Sequence, residues 1–334
     1  MAVQDQFKRP LRDLRLSVID QCNFRCHYCM PAHIFNENYT FLQKEELLTD
    51  DELVRLSVLF SRLGVEKIRI TGGEPLLRKG LPSLIERIGE KTRIEDIAVT
   101  TNGVFLPKLA QDLRGAGVQR VNISLDAIED DVFRYMNGKG VGISPVLKGI
   151  NAAREAGLYV KINMVVQKGV NDNQILPMAR YFKRLGVTLR FIEYMDVGST
   201  NGWDMRDVMT KKDILTELQS EFSLIPVKEA YFGEVAKRYK YSDKTGEVGF
   251  ISSVSDTFCG SCTRARVSAS GQLYTCLFAS KGTDLREKLR SGKSDEELFE
   301  YISSVWEMRD DRYSEDRANL KDKREPIEMS YIGG

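Results

Sequence analysis

No run of apolar residues in this chain approaches the ~20 that cross a bilayer. The start, Met1 to Lys8, has none of the apolar stretch of a secretory leader. Charge of one sign is missing as well: 49 lysines and arginines face 48 aspartates and glutamates, leaving +1. That balance excludes a surface built to coat nucleic acid, although it leaves room for a local basic pocket. Neither a membrane nor a nucleic-acid polymer is expected as a partner, and the expected location is the cytoplasm. No side chain stands out as a general base. Cysteine is absent between Met30 and Phe258. The rest is ordinary: 42% hydrophobic and 29% charged over 334 residues, enough for one large domain and a smaller one.

The cysteines that are present are concentrated. All six fall in two groups of three, Cys22-x3-Cys26-x2-Cys29 and Cys259-x2-Cys262-x13-Cys276. In a reducing compartment such spacings bind metal rather than form disulfides. Three thiolates are one short of the four that normally hold a 4Fe–4S cluster. Two such clusters would each keep one iron open, which suits chemistry on bound ligands better than a ferredoxin-like electron carrier. The alternative for the first group is a zinc knuckle completed by His27 or His33. Structural zinc asks for four closed ligands. His27, between two of the cysteines, is badly placed to wrap onto the same ion, whereas His33 can reach.

Short strand-like runs recur at Leu14–Val18, Lys67–Thr71, Asp96–Thr100, Arg120–Leu125, Tyr159–Val165 and Thr188–Glu193. Their spacing of about 35 residues holds a helix between each pair. Thr49 and Glu52 form a capping box ahead of the apolar stripe Leu53, Leu56, Leu59 and Phe60. Gly64, Gly115, Gly117, Gly157 and Gly186 end helical stretches just before strands. Six βα units with right-handed crossovers curl a parallel sheet toward a barrel. The expected fold is α/β: an incomplete, open TIM-like (β/α)6 barrel with a C-terminal α+β lid domain. A flat doubly wound sheet is the alternative. The rhythm breaks after Gly198, so residues 1–198 are expected as the core with the first cysteine group. Residues 199–334, with a helix near Lys211–Glu221 and strands past Gly249, are expected as the part carrying the second.

Strands covered by helices should be apolar on their outer face. Here apolar residues alternate with Arg15, Lys67, Arg69, Asn122, Ser124, Lys161, Asn163 and Arg190. The polar face must then point into the lumen. A lumen holding Arg15, Lys67, Arg69, Lys161 and Arg190 is strongly positive, and buried cations are costly unless paired with anions. A triphosphate would neutralise them. Arg264 and Arg266, next to the second cysteine group, would add to this from the other part of the chain. The competing reading pairs single cations with Glu74, Asp126 or Glu193, or places them at solvated strand ends.

The CxxxCxxC spacing with Phe24 and Tyr28, followed by Thr71-Gly72-Gly73-Glu74-Pro75 at the next strand end, resembles the radical S-adenosylmethionine (SAM) superfamily. The second group, Cys259-Gly-Ser-Cys262-Thr-Arg264-Ala-Arg266 with Cys276, narrows the resemblance to the GTP 3′,8-cyclase family of molybdenum cofactor biosynthesis. That resemblance covers nearly the whole chain, through "FIEYMDVG" to the terminal Gly333-Gly334. It implies two 4Fe–4S clusters, SAM at the open iron of the first, and the guanine of GTP at the open iron of the second. It implies SAM held by Tyr28, Gly73, Ser124 and Met195. It implies GTP held by Arg15, Lys67, Arg69, Thr100, Lys161, Arg190, Arg264 and Arg266, with Arg15, Arg264, Arg266, Gly333 and Gly334 at the reacting centre. Implied partners are a reductant such as flavodoxin or ferredoxin, the next enzyme of the pterin branch, and a second copy of the chain as a homodimer. The rival within the superfamily is a peptide-modifying enzyme with an auxiliary cluster. Such enzymes usually carry more cysteines in that region, and a peptide leaves the lumen cations unexplained.

Overall fold

The computed structural model describes residues 2–317 and 327–332. The described chain runs β1 (Asp13–Ser17), α1 (Asp50–Arg62), β2 (Lys67–Thr71), α2 (Leu81–Lys91), β3 (Asp96–Thr101), α3 (Leu106–Gly115) and β4 (Arg120–Ser124). It continues with α4 (Asp130–Met136), α5 (Ser144–Glu155), β5 (Tyr159–Val166), α6 (Ile175–Leu185), β6 (Thr188–Glu193), α7 (Lys211–Gln219), β7 (Leu224–Val227) and β8 (Lys237–Tyr241). Then follow β9 (Glu247–Ile251), β10 (Arg264–Val267), β11 (Gln272–Tyr274), β12 (Thr283–Asp284), α8 (Leu285–Arg290), α9 (Asp295–Glu307), α10 (Tyr313–Asp316) and α11 (Met329–Ile332).

Among the described residues the strands form one 12-stranded sheet, ordered β12-β11-β10-β1-β2-β3-β4-β5-β6-β9-β8-β7. The six strands β1 to β6 are parallel neighbours in sequence order. The edges β12 and β7 do not meet, so the barrel is open, as expected. The later part of the chain does more than cover this sheet. It extends both edges, β9 pairing parallel with β6 and β10 parallel with β1. The sheet therefore runs across the change of rhythm after Gly198. Both strands are short, and neither follows its sheet partner through a single crossover helix: α7, β7 and β8 lie between β6 and β9, and most of the barrel lies between β1 and β10, which is why local periodicity pointed to a separate layer.

Local chemistry sets the elements. Thr49 caps α1 by accepting from Glu52 N–H, while the Glu52 side chain accepts from Thr49 N–H, the reciprocal box expected from sequence. Asp50, Asp51 and Glu52 favour the positive end of the helix dipole. Leu53, Leu56, Leu59 and Phe60 are fully buried against the outer faces of β1 and β2, where Leu14, Leu16, Ile68 and Ile70 are equally buried. Each such side chain contributes ~1.5–3 kcal/mol by leaving water. The same outer-face alternation continues through Val121, Ile123, Ile162 and Met164. α5 packs closely on the turn after β3: a Cβ at Gly149 would lie 2.0 Å from the Gly103 carbonyl oxygen.

Candidate active site

The inward faces of the strands carry the polar residues in register. Arg15 stands beside Arg69 and Arg266, Thr100 beside Asn122, Asn122 beside Lys161, and Asn163 beside Arg190. Gly249, the partner of Arg190 on β9, leaves that side chain its space; a Cβ there would sit 3.1 Å from Arg190 Cγ.

Two connected chambers lie inside. The upper one, about 250 Å³, is lined by all six cysteines together with Tyr28, Gly73, Ser124 and Met195. The cation-lined lower one, about 160 Å³, holds Lys67, Lys161 and Arg190. Arg15, Arg69 and Arg264 line both chambers, and Thr100 and Arg266 line the upper one. The predicted residues thus converge, except that Lys67, Lys161 and Arg190 lie a layer below the cysteines. Gly333 and Gly334 lie outside the described residues.

The first cysteine loop is pinned by the segment after β2. Gly73 N–H donates to Ile19 O (2.8 Å) and Glu74 N–H to Gln21 O (2.7 Å). The approach is so close that a Cβ at Gly73 would lie 2.2 Å from Gln21 O. At Gly72 the φ of +145° and a clash 2.3 Å from Ile19 O exclude any other residue. Glu74 does not pair with a lumen cation. Its carboxylate accepts from Thr101 Oγ1 (2.7 Å), Asn102 N–H (2.7 Å) and Leu76 N–H (3.0 Å). Burial raises it to about 7. Asn102 in turn donates to Asn23 Oδ1 at 2.7 Å, tying the end of β3 to the cysteine loop. On the other side, Tyr28 donates its hydroxyl to Asp126 Oδ2 (2.8 Å), and Asp126 Oδ1 accepts from Val165 N–H (2.9 Å).

Neither histidine lines the chamber. Exposed His27 stacks on Tyr135 with ring centroids 4.7 Å apart, and His33 is exposed in the loop beyond. The side chains a zinc knuckle would need are therefore turned away from the thiols. Burial raises Cys22 to about 11 and pushes Cys26 and Cys29 up as well. These thiols stay protonated until a metal displaces the proton. In the second group, burial raises Cys262, but Arg264 and Arg309 outweigh it and bring the thiol to about 6. Arg264 Nε donates to Cys262 Sγ at 3.3 Å. Burial raises Cys276 to about 12.

The lumen cations are strained by one another. Burial, Arg266, Arg69 and Arg264 lower Arg15; burial, Arg69 and Arg120 bring Arg190 to about 9; burial, Arg190 and Arg120 bring Lys161 to about 8. The pairing with Glu74, Asp126 or Glu193 weighed from sequence does not occur. Glu193 accepts from Lys211, Val254 and Ser255 N–H groups instead. One cation does have carboxylates: Lys67 Nζ lies 3.6 Å from Asp13 and 3.5 Å from Asp96, under the Tyr231 ring. Both acids begin their strands, so they share its layer. Among the described residues, Arg69 Nε, Arg190 Nε, Asn122 Nδ2, Asn163 Oδ1 and Thr100 Oγ1 are buried without a hydrogen-bond partner. Buried polar atoms are rarely left so, and together they fit a polyanionic, hydrogen-bonding ligand. With both histidines turned away, three thiols in each group likewise fit a cubane cluster with one free corner.

Sequence reasoning missed Arg120, which opens β4 and joins the lower chamber while pairing with Asp96 at 2.9 Å. Its place at the head of an alternating strand was the available signal. It also missed Asp5, Arg9, Arg309 and Asp311 behind the second cysteine group; nothing local marks these.

A family described as the Radical SAM superfamily matches residues 16–182, and one described as Molybdenum Cofactor Synthesis C matches residues 187–315. The protein named GTP 3′,8-cyclase of Staphylococcus saprophyticus is 50% identical over 99% of this chain and 99% of its own length. Its namesake in Staphylococcus haemolyticus is 49% identical over the same shares. The solved structure of SuiB from Streptococcus suis bound to S-adenosylmethionine is similar in fold, with a TM-score of 0.60 and 16% identity, over 89% of this chain and 68% of that one.

Proposed function

The chain belongs to the radical SAM superfamily and, within it, to the GTP 3′,8-cyclases, and on that premise we propose how its own residues carry the reaction. The enzyme converts GTP to (8S)-3′,8-cyclo-7,8-dihydroguanosine 5′-triphosphate, an early step of molybdenum cofactor biosynthesis. Cys22, Cys26 and Cys29 hold one 4Fe–4S cluster, and Cys259, Cys262 and Cys276 the other. When bound there, the first cluster with SAM would supply the radical chemistry that removes the ribose 3′ hydrogen, and the second would supply an iron site for the guanine base.

The protein's part is positioning and charge. Tyr28 backbone, Ser124 and Met195 hold SAM. The Gly73 backbone takes its amino group through the carbonyl, since an amino group donates and the Gly73 N–H, itself a donor, is given to Ile19 O. The triphosphate enters the cationic layer of Lys67, Arg69, Lys161 and Arg190, where it relieves their mutual repulsion and satisfies the orphaned arginine donors. Thr100 binds the nucleotide above them. Arg15 and Arg264, which line both chambers, and Arg266 in the upper one orient the triphosphate and steer the sugar toward guanine C8. Gly333 and Gly334 are assigned to the reacting centre from sequence alone. Residues 1–198 supply the SAM half and residues 199–334 the guanine half. A flavodoxin- or ferredoxin-type reductant, the next pterin enzyme and a second copy of the chain are the proposed partners. No described helix is long and apolar enough to cross a membrane, and we place the enzyme in the reducing cytoplasm that its clusters require.

The observation that carries this reading is the single chamber lined by both cysteine groups above a cation-lined floor. The test is anaerobic reconstitution, iron counting, and incubation with SAM and GTP. About eight irons per chain and GTP-dependent release of 5′-deoxyadenosine are expected. Release that ignores GTP would favour a peptide substrate, and zinc in either group would end the assignment.

A further inference from the structure

Behind the second cysteine group lies a network of charged residues that the reaction as described leaves unused. Asp5, Arg9 and Arg309 are 3%, 1% and 4% exposed. The chain turns tightly from Asp5 to Arg9, and Asp5 Oδ1 holds the turn by accepting from Phe7 and Arg9 N–H groups, both at 2.9 Å. Asp5 Oδ2 accepts from Arg9 Nε at 2.6 Å and from Arg309 Nη1 at 3.1 Å. The two guanidinium groups then reach the cysteine loop. Arg9 Nη1 donates to Cys259 O and to Asp311 O, both at 2.8 Å, and Arg309 Nη1 donates to Cys262 O at 2.9 Å. Arg309 Nε is 3.5 Å from the Asp311 carboxylate, which accepts from the hydroxyl of Thr275, the neighbour of Cys276. One connected network therefore touches the loop at all three cysteine positions. It is anchored by Trp306, whose indole donates to Arg9 O at 3.2 Å and whose ring lies 4.5 Å from the Arg309 guanidinium carbon.

A buried ionic triad is a poor way to gain stability, since apolar residues of the same volume often do as well or better. Its bonds here go to the carbonyls of the ligand residues. Such second-shell contacts orient ligands and tune what they hold. Asp311 and Arg309 also line the upper chamber. The network thus holds the Asp311 carboxylate on the Thr275 hydroxyl and within ion-pair range of Arg309, away from service as a fourth ligand.

We propose that Asp5, Arg9 and Arg309 are positioning residues that clamp the second cysteine loop and keep the fourth iron corner free for the nucleotide base. This rests on the reading of that loop as a three-thiolate cluster site. The clamp explains why a segment ahead of the first strand, far from SAM, is bound so tightly into the back of the site.

The variant that separates the clamp from the fold is Asp5→Asn. Asparagine keeps the Oδ1 that holds the turn, but it sets an amide N–H against Arg9 Nε and Arg309 Nη1. The reconstituted full chain would be measured for iron content, SAM affinity, GTP affinity, and the change that GTP causes in the low-temperature EPR spectrum. The native chain is the control: if it lacks a second cluster or a GTP-dependent spectral change, the underlying reading fails rather than the clamp. The expected result is unchanged SAM affinity with GTP binding weakened about tenfold or more and the GTP-dependent change lost. Loss of the second cluster alone would be equally expected. GTP affinity and spectral change equal to those of the native chain would overturn the proposal. If Asp5→Asn loses SAM binding too, Arg309→Lys, which keeps the charge over Trp306 without the two-pronged contact, is read in the same way. Loss of both sites in both variants would also overturn it, by making the triad a general folding element.

Discussion

Lys161 gives the sharpest quantitative test of the cationic floor. Its amine is brought to about 8 by burial, Arg190 and Arg120, with Arg69 adding to and Glu247 opposing the effect. The Tyr159 ring lies 5.3 Å away and offers only a weak counter-attraction. Half of the chains therefore hold a neutral Lys161 at about pH 8 before ligand arrives. A bound triphosphate reverses the local sign of charge and returns the amine to its charged form. Binding must then take up the missing proton, so affinity falls as pH rises. With a free-state value of about 8, Kd for GTP should rise about tenfold between pH 7 and pH 9, with about half a proton taken up at pH 8. The phosphates, with a last pKa near ~6, are ionised throughout and contribute little. Arg190, brought to about 9, adds only a shallower rise as pH 9 is reached. The assay is anaerobic calorimetric titration of the reconstituted enzyme at pH 7, 8 and 9 in buffers of different ionisation enthalpy. Lys161→Met should bind GTP more weakly but with a nearly flat pH profile. A flat profile in the native enzyme, or an unchanged slope in Lys161→Met, would refute the reasoning.

Three further outcomes are expected. Cys276→Ala should lower the iron count from about eight to about four per chain while SAM still binds, because each cysteine trio serves its own cluster; loss of all iron would contradict separate sites. Tyr28→Phe removes the bond to Asp126 at 2.8 Å and leaves a buried carboxylate one partner short, at about 1–3 kcal/mol. SAM affinity, read by equilibrium dialysis, should drop while GTP affinity holds. Gly149→Ala would force a Cβ to within 2.0 Å of the Gly103 carbonyl. It should lower thermal stability by about 1–3 kcal/mol through displacement of α5; an unchanged melting temperature would show that the helix shifts freely.

Much of this was legible because periodicity is local. The expected strands at Lys67–Thr71 and Thr188–Glu193 coincide with β2 and β6, three others differ from β3, β4 and β5 by a residue at one end, and Leu14–Val18 is shifted by one residue from β1. The alternation of Arg15, Lys67, Arg69, Lys161 and Arg190 with apolar neighbours correctly placed them in the lumen, since a strand can turn only one face to its helices. Depth was not legible, because it depends on register between strands far apart in sequence. Hence the separation of Lys67, Lys161 and Arg190 from the cysteine layer, and the pairing of Lys67 with Asp13 and Asp96, emerged only in three dimensions. The parallel pairing of β10 with β1 was hidden for the same reason: about 250 residues separate them, and no single crossover helix links them. Arg9 and Arg309 were missed because burial by distant segments leaves no trace in composition.

That pairing has a cost during synthesis. Until the ribosome has passed residue 267, the unpaired edge of β1 has no neighbour on one side, and exposed strand edges invite association with other chains. Contacts between such distant segments form slowly. The first cysteine group leaves the ribosome long before the second, so a nascent chain presents a half-walled barrel to iron-loading machinery. A chain cut short ahead of β10 would keep α1 to α7 yet lose a wall of the nucleotide chamber, and such fragments are the ones that quality-control proteases should meet.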